Sequence, residues 1–232
     1  MQKIDSRLRT ALKYLRKGKK LADIGTDHAY LPIYAVENGY SACAVASDIN
    51  EGPTERARIN VTACGLSDAI TVLRTDGLTG IDKFSPDDIA IFGMGGELIA
   101  SIIDAAPWVK TSEKRLILQP MTCADSLRRY LAENGFKIIG ETLSSDGDKL
   151  YVTICSEFCG EARELTFAEA ILGEYYIKNE IDSPLFEELL SRAENAYKVR
   201  LEGKSKAGKD CTLEEAVLAE LKPIRKEVES NK

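Results

Sequence analysis

The sequence predicts an α/β fold, a mainly parallel sheet of seven strands covered by helices on both faces, followed by a helical appendage. Short β-rich runs recur between helical stretches from Lys20 to about Phe158, at 21–24, 42–47, 70–75, 89–92, 116–119, 136–141 and 150–155. Short buried strands alternating with helices make a parallel sheet with both faces covered. The last two runs follow each other across Ser144-Ser145-Asp146-Gly147-Asp148, a hairpin signal that makes the seventh strand antiparallel. Beyond about Gly160 the apolar periodicity is helical only.

Seven strands closing in a hairpin is the sheet of the class I (Rossmann-like) methyltransferases, whereas a dinucleotide-binding Rossmann sheet has six strands and stays parallel. Ahead of it, residues 6–17 place Leu8, Leu12 and Leu15 on one helical stripe, with Gly18 where a helix-ending glycine belongs. The basic residues of this first helix are expected on its wet side. In the tail, Pro184 suits a first helical position, and Phe186, Leu190, Ala193, Tyr197 and Leu201 repeat every three or four residues. A polar link, 202–210, leads to Thr212-Leu213-Glu214-Glu215, which reads as a capping box. The helix it opens carries Val217, Leu221, Ile224 and Val228 at heptad spacing, with Pro223 predicting a kink or fray. Two helices joined by a short loop pair antiparallel, as a hairpin or short coiled coil. The expected domains are residues 1–158 and 159–232, the second serving dimerisation, stabilisation or RNA contact.

The chain has 232 residues, 44% hydrophobic and 29% charged, enough to bury a sizeable core. No run approaches the length of a membrane span, and the first residues lack a signal peptide's apolar core, which together predict a cytoplasmic protein. Six scattered cysteines, none spaced as in common zinc motifs, beside one histidine, predict reduced thiols and no metal site. A net charge of −6 argues against a general affinity for nucleic acid, but its distribution is uneven. Residues 1–20 hold eight bases (Lys3, Arg7, Arg9, Lys13, Arg16, Lys17, Lys19, Lys20) against Asp5 alone, and 161–195 hold nine acids against three bases. Such asymmetry marks a basic surface able to meet an anionic partner.

The segment that carries chemistry is Leu21-Ala22-Asp23-Ile24-Gly25-Thr26-Asp27-His28-Ala29-Tyr30-Leu31-Pro32. A strand ending in an acid and a glycine before a helix lies at the carboxyl edge of the sheet, where open α/β folds bind ligands. One glycine does not make the G-x-G-x-x-G fingerprint, so a pyrophosphate clamp is not expected. A ligand without phosphates, such as S-adenosylmethionine, needs only one close backbone approach. Asp48, 23 positions after Gly25 and followed by Ile49, closes the second strand, where an acid accepts ribose hydroxyls. Asp76-Gly77 closes the third, where an acid can take an adenine amino group; each acid alone could equally cap a helix. The fourth run ends in Gly93-Met94-Gly95-Gly96, glycines that admit a flat ligand or make a tight turn. The Asn/Asp-Pro-Pro-aromatic motif of many amino-directed methyltransferases is absent there, which disfavours exocyclic-amine chemistry.

The string from Asp23 to Pro32, with Gly93-Met94-Gly95-Gly96 and with Gln119-Pro120 after the fifth strand, resembles the bacterial tRNA (adenine(22)-N(1))-methyltransferases, the TrmK family. The resemblance covers residues 1–158 and implies S-adenosylmethionine as cofactor, tRNA as substrate and a coiled-coil tail. It implies a cofactor site at Asp23, Gly25, Asp27, His28, Asp48, Ile49, Asp76, Gly77, Gly93, Met94 and Gly95. Substrate contacts fall to Arg7, Arg9, Tyr30, Gln119 and Pro120. Adenine N1 already carries an outward lone pair, so catalysis needs positioning more than deprotonation. Asp27, just past the Gly25 turn, is the expected catalytic carboxylate, stabilising charge on the purine and accepting the proton finally lost. His28, the one histidine, is expected to touch cofactor or substrate, and Tyr30 to offer a face to a flipped base. Phosphate contacts are expected from the basic first helix and from Lys198, Arg200, Lys204, Lys206 and Lys209. Three other readings stay open: a same-fold enzyme acting on a small molecule or protein, a non-catalytic RNA-binding protein, and, most remotely, a nicotinamide oxidoreductase.

Overall fold

The computed structural model describes residues 4–231, which leaves Lys3 of the basic segment outside the described residues. The chain forms two compact units that divide between Arg163 and Glu164.

The first unit is built on β1 (Lys19–Ile24), β2 (Ser41–Asp48), β3 (Ile70–Arg74), β4 (Asp88–Gly95), β5 (Arg115–Thr122), β6 (Phe136–Asp146) and β7 (Lys149–Phe158). Their spatial order is β3-β2-β1-β4-β5-β7-β6. The first five pair in parallel, and β7 runs antiparallel to both β5 and β6. Leu21, Ala22 and Ile24 on β1, Ile89, Ala90 and Ile91 on β4, and Leu116, Ile117 and Leu118 on β5 are all buried, so both faces of the central strands are covered. That is why these strands read as unbroken apolar runs rather than alternating ones. From β1 the chain winds outward to β2 and β3 and then crosses back to β4. The crevice between the carboxyl ends of β1 and β4 is therefore the topological switch point, where such sheets place ligands.

Helices α1 (Ser6–Ala11), α2 (Tyr30–Glu37), α3 (Glu51–Ala63), α4 (Gly96–Asp104) and α5 (Ala124–Glu133) lie within this unit. The first is shorter than the leucine stripe predicts. Arg16 donates its backbone N–H (2.7 Å) and its Nε (2.7 Å) to the buried carboxylate of Asp88, which draws the chain out of helical geometry before Leu15. Nor do its bases all face water. Arg7 turns inward to Gln119, and Arg16 is held by Asp88 and by the carbonyls of Asp87 and Glu113.

The second unit holds a π-helical turn (Glu169–Gly173), α6 (Glu174–Asn179), α7 (Pro184–Lys206) and α8 (Thr212–Ser230). Phe186 and Leu190 of α7 and Val217, Leu221, Ile224 and Val228 of α8 are buried. Lys204 pairs with Glu214 at 2.9 Å, and Arg225 reaches back to Glu194 at 3.0 Å and Glu187 at 3.9 Å. Pairs that move apart in sequence as they leave the loop make α7 and α8 an antiparallel hairpin. The expected capping box does not form. Asp210 instead accepts from the N–H (3.0 Å) and hydroxyl (2.6 Å) of Thr212, an Asx turn that starts the helix one step earlier. Pro223 lies within α8, which continues beyond it to Ser230. Among the described residues no helix is long and apolar enough to cross a membrane, and no group of three or more His, Cys, Asp or Glu could hold a metal.

Candidate active site at the carboxyl edge of the sheet

A cleft of about 310 Å³ opens at the switch point, lined by residues of the β1–α2 turn, by Asp5 and Arg7 and by Phe92-Gly93. Its geometry begins at Gly25, whose φ of +79° is a left-handed conformation that glycine adopts without strain. The turn is pinned to β2, because the N–H groups of Gly25 and Thr26 both donate to the Ser47 carbonyl, at 2.8 and 2.9 Å. A Cβ at Gly25 would lie 2.1 Å from the Met94 methyl, so the flexible end of Met94 rests directly on the glycine. Thr26, 4% exposed, accepts from Ala29 N–H at 3.1 Å and donates to Asp23. It pins Ala29, the residue before α2, and neither it nor Asp27 makes a side-chain cap hydrogen bond to that helix.

Asp23 sits at the floor, 6% exposed. Burial pushes its carboxyl up to about 6, against the hydrogen bond from Thr26 and the nearby charge of Arg7. Asp27 points to the open side, 57% exposed, and its carboxylate is held by Arg56 of α3 and by His28 Nε2 at 3.2 Å. The His28 ring stacks on Tyr30, centroids 4.9 Å apart and nearly parallel. One face of Tyr30 is thus taken by His28, and a base stacking on this ring would use the other. Asn60, four residues beyond Arg56, donates to the His28 carbonyl at 3.0 Å, so two polar groups on one stripe of α3 brace the turn.

Along the edge, Asp48 accepts from the backbone N–H (2.7 Å) and the side chain (3.1 Å) of Asn50 through Oδ1, which leaves Oδ2 to a ligand. Ile49 beside it is 54% exposed. Asp76 is exposed at the end of β3, and Gly77 has a φ of +50°. On the other flank Gly93 is left-handed at +79° and donates its N–H to Gln119 Oε1 at 3.2 Å. The same oxygen receives Arg7 Nη1 at 2.9 Å. A side chain at Gly95 would crowd the Thr122 hydroxyl, at 3.2 Å.

The cleft therefore gathers Asp23, Gly25, Asp27, His28, Tyr30, Gly93 and Arg7, with Met94 over Gly25. Asp48 with Ile49 and Asp76 with Gly77 stand at the ends of the two strands beyond β1. One expectation does not hold in the form given, and Arg9 is placed apart from the cleft. Gln119 and Pro120 are buried, so Gln119 serves by fixing Arg7 and the Gly93 backbone, not by facing substrate. Arg9 is exposed in a neighbouring groove with Lys13, Thr142 and Asp146, which Arg7 does not line. The sequence reading missed Thr26, Arg56 and Asn60. The first had a local signal, a threonine three residues ahead of Ala29, the residue that precedes α2; the others reach the turn from about thirty residues away.

A family model described as a methyltransferase domain matches residues 4–154. The chain is 41% identical over 155 residues to the tRNA (adenine(22)-N(1))-methyltransferase of Bacillus subtilis, an alignment covering 67% of this chain and 65%, just under two thirds, of that relative. The crystal structure of the B. subtilis m1A22 tRNA methyltransferase TrmK is similar with a TM-score of 0.82 and 33% identity, covering 98% of this chain and 99% of that one. A putative tRNA (m1A22) methyltransferase of Streptococcus pneumoniae, solved in complex with S-adenosyl-L-methionine, gives a TM-score of 0.83 at 30% identity over 96% of this chain and 99% of its own. The structural likeness takes in the helical tail as well as the sheet, and on that breadth the chain belongs to the tRNA (m1A22) methyltransferase family, TrmK.

Proposed function

We propose that this protein transfers the methyl group of S-adenosylmethionine to N1 of adenosine 22 in tRNA, in the cytoplasm, with the unit ending at Arg163 carrying the chemistry. The observation that carries the reading is the row of acceptors at one sheet edge: Asp23, Asp48 and Asp76 close three adjacent strands around a side-chain-free turn at Gly25. The cofactor offers donors in matching number: an ammonium, a ribose diol and an adenine amine. Asp48 fits the ribose, Ile49 an adenine face, Asp76 the amine, and Asp23 the ammonium end. When bound, the cofactor supplies a methyl carbon on a cationic sulfur, which the N1 lone pair takes as the carbon–sulfur electron pair returns to sulfur.

The protein's part is positioning and electrostatics. Methylation leaves the purine positively charged, and Asp27 on the open side of the cleft is the carboxylate that offsets this charge. His28 and Arg56 hold Asp27 in place. The base must leave its stack, a cost of a few kcal/mol that phosphate contacts elsewhere offset. Arg9 and Lys13 in the first unit, and Lys198, Arg200, Lys206 and Lys209 in the second, supply them, Lys204 being held by Glu214. Radiolabelled methyl transfer to unmodified tRNA, against protein and small-molecule pools, tests the reading; incorporation elsewhere than tRNA overturns it.

Asp48→Ala is expected to weaken cofactor binding by about 1.5–3 kcal/mol for each charge-assisted bond to ribose. Calorimetry with S-adenosylhomocysteine measures it, and an unchanged Kd removes the ribose assignment. Asp23 gives a pH dependence of definite sign. Its carboxyl is raised from the ordinary 3.8 to about 6, so in the cofactor-free fold it favours stability as pH falls through that window. Holding an ammonium requires the carboxylate, so cofactor affinity moves the opposite way. Kd is expected to rise about tenfold between pH 7.5 and pH 5, the fraction by which Asp23 loses its charge. A Kd flat across that range, or the same slope in Asp23→Asn, counts against the assignment.

A further inference from the structure

The hairpin of β6 and β7 outruns its neighbour. Pairing of β5 with β7 stops at Leu118 and Ile154, whereas β6 and β7 stay paired to Asp146 and Lys149. A gap is left between the hairpin and the ends of β4 and β5, and the start of α1 spans it, with the Ser6 hydroxyl donating to the Ser145 carbonyl at 3.4 Å. In the gap is a second cavity of about 320 Å³, walled by Tyr151 of β7, Met121 of β5 and Asp146. It shares Asp5, Arg7 and Gly93 with the cofactor cleft, so the two spaces meet across this common wall.

We propose that this cavity receives the target adenine, with the Tyr151 ring and the Met121 side chain as the two sides of its slot. The inference rests on the methyl-transfer reading above, and deepens it. A methyl group must pass directly from donor to acceptor, and the residues common to both spaces mark where the two ligands touch. Gly93 keeps that wall thin, since a Cβ there would press on Arg7 Nη1 at 3.3 Å. The chemistry of the rim selects a base over a phosphate. Asp5 and Asp146 contribute two carboxylates, while the guanidinium of Arg7 is engaged by Gln119 and by Asp5 at 3.6 Å. A phosphate would meet net negative charge, whereas a base that turns cationic on methylation is favoured. Met121 is 45% exposed, and its sulfur takes the Gln119 amide at 3.7 Å, so the buried glutamine that fixes Arg7 also sets this side of the slot. Tyr151 is half-buried, and bases stack on aromatic rings without regard to sequence. Tyr30, with one ring face on His28, lines the cofactor cleft and not this cavity.

The test uses the full-length protein and an unmodified tRNA transcript carrying adenosine 22. Tyr151→Ala is expected to lower kcat/KM for methyl transfer at least tenfold, with the calorimetric Kd for S-adenosylhomocysteine and the thermal midpoint close to those of the parent. Tyr151→Phe, which keeps the ring, is expected to recover most of that loss, and Met121→Ala to show a smaller loss in the same direction. Tyr151→Ala within threefold of an active parent overturns the slot and leaves the methyltransferase reading standing. A matched fall in cofactor affinity also overturns it, by placing Tyr151 in the cofactor site. A parent that transfers no methyl to this transcript overturns both.

Discussion

Asp27→Asn is expected to slow methyl transfer by about two to three orders of magnitude, roughly 2.7–4 kcal/mol by analogy with the loss of one preorganised charge-stabilising group. Fold and cofactor affinity should survive, because Asp27 is 57% exposed and makes no cap hydrogen bond to α2, while Thr26 holds Ala29 just ahead of that helix. Asparagine keeps the size and an acceptor for Arg56 while removing the charge. An interaction that strengthens mainly in the transition state lowers the rate constant more than ground-state binding. The measurement is single-turnover methylation of tRNA at saturating cofactor. A rate within about threefold of the parent, roughly 0.65 kcal/mol, removes Asp27 from the chemistry. Arg56→Met separates the remaining case: an equal loss there, with Asp27 intact, makes Asp27 a brace for α3 and not the catalytic carboxylate.

Arg128→Met should have the largest effect on stability. Arg128 on α5 donates from Nε to Glu141 Oε1 at 2.8 Å, with side chains 1% and 0% exposed. Removing one partner of a buried pair strands the other charge, at a cost of about 3–5 kcal/mol. Urea denaturation of the variant reads this directly, and adding Glu141→Leu should restore most of the loss, since an apolar pair strands no charge. A single-variant loss under about 1 kcal/mol contradicts the account of this pair as a buried, mutually dependent one. Because no residue of α5 or β6 lines the cofactor cleft, the Kd for the cofactor should stay near that of the parent in whatever fraction remains folded.

The sheet was legible because its strands are buried on both faces, so Ile89-Ala90-Ile91-Phe92 and Leu116-Ile117-Leu118 stand out as apolar runs between helices. The β1–α2 turn was legible for another reason: a left-handed glycine and a strand-end acid leave a local mark in the sequence. What escaped depends on partners far along the chain. Asp88 shortens α1 by taking Arg16 across 72 positions, and no leucine stripe reports that. Arg56 reaches Asp27 across 29 positions, so an acid that looked like a free carboxylate or a cap is an ion-paired one. Gln119 looked like a surface contact beside Pro120, yet burial makes it a hub that fixes Arg7, Gly93 and Met121. The tail's paired helices followed from periodicity, but its start follows Asp210, one position outside the Cys211 cap, and not the Thr212 box.

The central claim is the identity of the product, and nucleoside mass spectrometry of tRNA incubated with the protein and S-adenosylmethionine tests it most directly. The account predicts 1-methyladenosine, lost when adenosine 22 is replaced in the transcript and formed about two to three orders of magnitude more slowly with Asp27→Asn. Methylation appearing instead on an exocyclic amine such as N6, or 1-methyladenosine persisting after adenosine 22 is replaced, would contradict it.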